Sequence, residues 1–144
     1  MKKFMLVLMF LTFIFANMSC RTTSHFTSDE IAEFSSLAKS LNEIDFTYGA
    51  KYTEYPHQLK LFKVIQTPYH EEESFFSLKD FPLINGKIFA VEKQEKEIFI
   101  KFKIVLSGWC TGIVYMFEED EYLRNRAEVF IELDENVFYF EGKS

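Results

Sequence analysis

The side chains best suited to nucleophilic or base chemistry near neutral pH are few: cysteines 20 and 110 and histidines 25, 57 and 70 in 144 residues. A thiolate attacks a carbonyl carbon when an imidazole beside it takes its proton, and the thiol ionises most readily at a helix N-terminus, where the dipole favours the anion. Cys110 stands in Ser107-Gly108-Trp109-Cys110-Thr111-Gly112 and would need His57, or His70 in reserve, as its base. Catalysis would also need a helix running on from Ile113. The competing reading, preferred here, packs Cys110 as a small apolar residue beside Trp109 in a glycine-flanked turn and makes Ile113 onward a strand. A second chemistry is metal binding by His70 with Glu71, Glu72 and Glu73. That run has neither the calcium-loop spacing nor the His-Glu-x-x-His zinc spacing, so it reads as a solvated acidic loop. No metal and no cofactor is expected.

Cys20 belongs to a different pattern. Lys2 and Lys3, an apolar run from Phe4 to Ala16 interrupted by Thr12, and a polar break follow the order of a bacterial export signal. Spanning a bilayer takes about 20 apolar residues, and this run is shorter. The break, Asn17-Met18-Ser19-Cys20, resembles the lipobox of bacterial lipoproteins, in which a small residue precedes a cysteine that is lipidated and becomes the new N-terminus. The resemblance implies a signal peptide over residues 1–19, lipidation at Cys20, and a cell-envelope protein held to the membrane by acyl chains. Arg21 stands where an aspartate would mark inner-membrane retention, which favours the outer membrane. With Cys20 consumed, Cys110 is left as a lone thiol and no disulfide framework is expected.

Cys110-Thr111-Gly112-Ile113-Val114, with Phe117 after them, loosely resembles the Cys-Ser-Gly-Leu-Val signature around the nucleophile of NlpC/P60-type cell-wall peptidases. That family usually has Asp before the cysteine, where this chain has Trp109, and its histidine downstream, whereas no histidine follows His70 here. The resemblance therefore implies at most a permuted cysteine peptidase with His57 or His70 as base.

Without the leader the chain carries 14 Lys and Arg against 22 Asp and Glu, a net charge of -8. Nucleic-acid binding rests on cations neutralising phosphates, so no nucleic-acid partner is expected. Broad adhesion to anionic lipid is disfavoured for the same reason, leaving the acyl chains as anchor. Residues 20–28 read as a lipidated cysteine and polar tether, with His25 solvated in it, and residues 29–144 as one globular domain.

Within that domain the pattern is first helical and then alternating. Thr27 and Glu30 form a capping box, and Ile31, Phe34, Leu37, Ala38, Leu41 and Ile44 make one apolar stripe on a helix over 29–43. Phe46, Tyr48, Ala50 and Tyr52 read as one face of a strand that Pro56 ends. Leu59 to Gln66 reads as a second strand whose phase slips, through a bulge or because both faces are covered. Thr67 to Pro82 reads as a long connection pinned by its aromatics. Asn85-Gly86 opens a hairpin of Lys87–Glu92 and Ile98–Leu106 in which Ile98, Ile100, Phe102, Ile104 and Leu106 face the core, and Lys101 and Lys103 face water. Ile113 to Phe117 suits a central strand; Glu118 to Glu121 reads as an exposed turn balanced by Arg124 and Arg126. A last hairpin joins Val129, Ile131 and Leu133 to Val137–Glu141.

The expected fold is α+β, one N-terminal helix on a mainly antiparallel sheet of five to seven strands. The expected role is a non-catalytic binding or assembly module for a protein or small-molecule partner. Of eighteen phenylalanines, four are in the leader; the other 14 supply candidates for its contact surface, and Phe75, Phe76, Phe138 and Phe140 are the four singled out.

Overall fold

The first described helix, α1 (Ser28–Asn42), begins where its cap dictates. Thr27 Oγ1 accepts from the Glu30 amide at 3.2 Å, and the Glu30 carboxylate accepts from the Thr27 amide at 2.8 Å, so two otherwise orphaned donors are satisfied reciprocally. Phe26 packs on Phe34, Phe102 and Tyr139, so the packed domain starts inside the stretch drawn as tether. The computed structural model describes residues 26–65, 70–105 and 108–143. The leader, the lipobox and Cys20 lie outside them.

Eight strands follow: β1 (Tyr48–Lys51), β2 (Gln58–Ile65), β3 (His70–Ser77), β4 (Ala90–Lys93), β5 (Glu97–Val105), β6 (Trp109–Met116), β7 (Ala127–Asp134) and β8 (Val137–Lys143). They form one sheet in the order β3-β2-β1-β4-β5-β6-β8-β7, with every neighbouring pair antiparallel. The class is α+β with one main helix, and the sheet is wider than the five to seven strands expected.

The additional strand is β3. The segment read as a connection pairs along its whole length with β2, from Gln58 opposite Ser77 to Ile65 opposite His70. Three consecutive glutamates hide its alternation, yet at a sheet edge one glutamate side chain can reach water on either face. Glu73 meets Lys60 of β2 at 2.9 Å.

One face of the sheet carries the main core. Phe34, Leu37, Ala38 and Leu41 of α1 pack there with Leu59, Leu61, Val91, Ile98, Ile100, Ile113, Tyr115 and Val137. The α1 stripe lies over β5, β6 and β8. The β3–β4 connection lays Leu78, Phe81, Ile84 and Ile88 into the same core, and the Glu33 carboxylate accepts from the amides of Leu83 and Ile84 to hold that connection on α1.

A second core lies on the opposite face, and sequence periodicity missed it. A short helix, α2 (Glu121–Arg126), starts where the Asp120 carboxylate accepts from the amides of Tyr122 and Leu123, and its Leu123 seals Phe99, Cys110, Val114, Met116, Phe138 and Phe140. Glu118 and Glu119 are exposed, as expected, and Arg124 approaches Glu119, but the end of that run is also the start of a helix: Asp120 caps it and Glu121 is its first residue. The hairpin from β7 to β8 turns through Glu135 and Asn136, the latter at φ 64°, a left-handed conformation that Asn tolerates.

Other expectations are corrected by burial. Lys101 is only 7 % exposed: it lies on the second face beside Phe99 and donates to the Glu92 carboxylate at 2.6 Å. Phe46 precedes β1 and is buried in the main core, while Tyr48 and Tyr52 are on the surface. The phase slip in β2 is a case of two covered faces, since its pairings with both neighbours run without a shift: Leu59 and Leu61 face α1's side, and Phe62 is buried on the other under Tyr48.

Candidate functional site

Cys110 sits inside β6 at 1 % exposure, with its side chain in the second core. It is a strand residue, and the chain continues from Ile113 as strand. His57 ends the β1–β2 connection. From β2 to β6 the sheet takes four strand steps, roughly 19 Å at about 4.8 Å each, so His57 and Cys110 are not brought together. His70 begins the edge strand β3 and is further still in strand order. The side chains of His70 and Glu71 lie outside what is described. Glu72 and Glu73 are successive strand residues and point to opposite faces. Among the described residues no group of three His, Cys, Asp or Glu side chains is placed to hold a metal ion.

The four phenylalanines chosen from sequence divide. Phe138 and Phe140 are buried in the second core, Phe140 at 1 %, because β8 runs between β6 and β7 under α2. They are no contact surface. Phe76 faces the main core and stacks on Phe81. Phe75 alone is exposed, at 54 %.

Around Phe75 lies a surface that sequence reading did not assemble. Among the described residues, the second face is covered by α2 only at its β6, β8 and β7 end, and none covers the β1, β2 and β3 end. Tyr52, Tyr55, Val64 and Phe75 are exposed there, and Tyr48, stacked on Phe62 with ring centroids 4.8 Å apart, is partly so. Tyr55 and Phe75 are in contact at 5.5 Å, and Lys60 lies 5.2 Å from the centre of the Phe62 ring and 6.0 Å from that of Tyr52. Alternation in β1 and β2 signals Tyr48 and Val64 singly, whereas Tyr52 and Tyr55 lie in the connection between them and Phe75 in β3. Their convergence depends on β3 pairing with β2.

A cleft of about 350 Å³ opens between the end of the β1–β2 connection and the β3–β4 connection, lined by His57, Lys79, Pro82 and Asn85. Asn85, buried in a 3₁₀ turn (Asn85–Lys87), is its hub. The Lys51 ammonium donates to the Asn85 backbone carbonyl and, at 2.6 Å, to its side-chain Oδ1. An ammonium can only donate, so the amide oxygen must face Lys51 and the amide nitrogen must face His57 Nδ1, 2.7 Å away. Nδ1 therefore accepts, and the ring proton sits on Nε2. Burial pushes the Lys51 ammonium below the ordinary lysine range.

A second hollow, of about 250 Å³, lies at the other end of the sheet among Arg124, Phe130, Glu132 and Phe138. Arg124 covers the stacked rings of Phe130 and Phe138 with its guanidinium 5.8 and 5.9 Å from their centres, and approaches Glu119 at 3.7 Å. This arrangement closes the second core.

On the second face, at the start of β5, Glu97 is 4 % exposed and its Oε2 has no hydrogen-bond partner among the described residues. Burial, and then the nearby Asp120, raise its carboxyl above the usual range. None of the described helices is long and apolar enough to cross a membrane. Compared with known proteins, the chain matches no protein-family model, no curated protein and no solved structure.

Proposed function

We propose that the chain is a cell-envelope protein anchored through acyl chains on Cys20, and that its domain is a non-catalytic binding or assembly module. The anchor rests on the residues of the leader: Lys2 and Lys3, the apolar run, and Ser19-Cys20. The outer membrane is the preferred location because Arg21 follows the cysteine. The observation that carries the binding role is the open aromatic end of the sheet, where Tyr52, Tyr55 and Phe75 remain exposed although aromatic side chains bury large apolar area when covered. Tyrosine at such a surface offers an apolar ring and a hydroxyl together, the combination favoured at partner contacts.

Intact mass of the protein recovered from detergent-extracted membranes tests the anchor. The expected species begins at Cys20 and carries added acyl mass; a chain starting elsewhere without lipid overturns it. A photoreactive residue placed at position 75 tests the surface. Crosslinking in the envelope from position 75, with none from the exposed Glu128 on β7, is the expected result; equal yields from the two positions would remove the aromatic surface as the contact.

A further inference from the structure

We propose that the cleft formed by His57, Lys79, Pro82 and Asn85 binds a small molecule through an anionic oxygen group, a phosphate or a carboxylate. The site is separate from the aromatic surface and does not depend on the anchor.

Charge makes the cleft unusual for this chain. The sequence carries more acid than base, yet the described residues lining the cleft are a lysine, an imidazole, an amide and a proline, with no carboxylate among them. Three donors are available there. The hydrogen-bond chain from Lys51 through Asn85 leaves His57 with its proton on Nε2, the ring nitrogen not engaged by Asn85. The Asn85 amide has two N–H groups, of which one is used on His57. Lys79 adds an exposed ammonium. Imidazole, amide and ammonium donors around one space match an oxyanion, whose oxygens accept several hydrogen bonds at once, and the charged contact is the stronger kind.

Lys51 is the independent observation. Lys60, Lys63, Lys87 and Lys101 each pair with a carboxylate. Lys93 donates to the carbonyls of Asn42 and Ile44, where the negative end of α1 accounts for its place. Lys51 bonds only to Asn85, with no carboxylate partner among the described residues, although it is partly buried. An anion in the cleft would lie one residue away from this uncompensated charge. The volume, about 350 Å³, falls at the small end of ligand sites, which span roughly 300–1,000 Å³. Pro82 supplies an apolar wall for the rest of such a molecule.

The test uses the full-length chain in detergent micelles, with the Asn85 side-chain amide and the His57 ring followed by NMR. Inorganic phosphate, acetate and chloride are titrated in turn at fixed pH and ionic strength. Saturable shifts at both groups with phosphate alone identify a phosphate site; saturation with acetate as well extends it to carboxylates. Lys79→Gln, at an exposed position that leaves the core intact, is expected to raise the phosphate midpoint about tenfold, as loss of a charge-assisted contact should. Absence of saturation with both oxyanions, the same response to chloride, or a midpoint unchanged in both Lys79→Gln and His57→Gln would overturn the proposal.

Discussion

Glu97 and Glu92 show how two carboxylates a few residues apart acquire opposite electrostatics. Burial acts to raise both. For Glu92, hydrogen bonds from Lys101 and Gln94 overcome it and hold the carboxyl below its usual range; for Glu97 no partner does so, and Asp120 adds to the rise. A raised folded-state pKa means the native state binds the extra proton, so ionising Glu97 costs stability as pH climbs past the ordinary glutamate value. Glu97→Gln should therefore stabilise the fold at pH 7 by about 1 kcal/mol, with the gain shrinking toward pH 4. Urea unfolding at the two pH values measures it, and an equal gain at both would refute the assignment. Cys110 gives a second residue-level test. Being sealed under α2, it should resist a thiol reagent in the native protein and react once denatured; fast native labelling would show the second core to be open.

At the level of elements, β5 and β6 approach too closely for an ordinary side chain at one point. A Cβ on Gly112 would lie 2.2 Å from the backbone oxygen of Ile100, beside the register shift between Lys101 and Lys103. Backbone cannot swing aside as a flexible side chain can. Gly112→Ala should cost about 3 kcal/mol, read from the denaturation midpoint, and a neutral result would mean that the two strands can separate there. The edges of the sheet carry their own protection. β3 brings consecutive glutamates to one edge, and β7 has two register irregularities, at Ala127/Val129 and Glu132/Asp134, at the other. Charge and bulges are the usual means by which an edge avoids pairing with another chain.

For the whole molecule, the distribution of phenylalanine separates folding from contact. Phe140→Ala, in the second core, should destabilise by about 3–5 kcal/mol. Tyr52→Ser with Phe75→Ser should cost far less, about 1 kcal/mol, because both side chains are already about half exposed, at 44 % and 54 %. If the aromatic end is the contact surface, that double substitution should abolish envelope crosslinking from a photoreactive residue at Val64 while the melting temperature barely moves. A large loss of stability would instead make these rings part of the fold. Among the described residues, one face of the sheet is covered along its length by α1 and the β3–β4 connection, and the other only at one end by α2, whose six residues reach no further.

Short-range patterns in the sequence determine the elements whose signals are local. The Thr27–Glu30 box and the 3.6-residue stripe specify α1, and apolar runs on both faces of Ile113–Met116 specify a central strand. The leader's chemistry is local too, and it is the source of the anchor proposal. What the tertiary structure decided is everything that depends on a neighbour. β3 is a strand because β2 lies beside it, although its glutamates hide the alternation. Lys101 is buried with its charge met diagonally by Glu92 of the neighbouring strand, and Phe138 and Phe140 are core because six residues of α2 fold over them. The cleft brings His57 together with Lys79 and Asn85 of another segment, and hydrogen bonds tie Asn85 to His57 and to Lys51, 34 positions away. No periodicity in one segment carries that information, since pairing energies belong to contacts that exist only after the chain has folded.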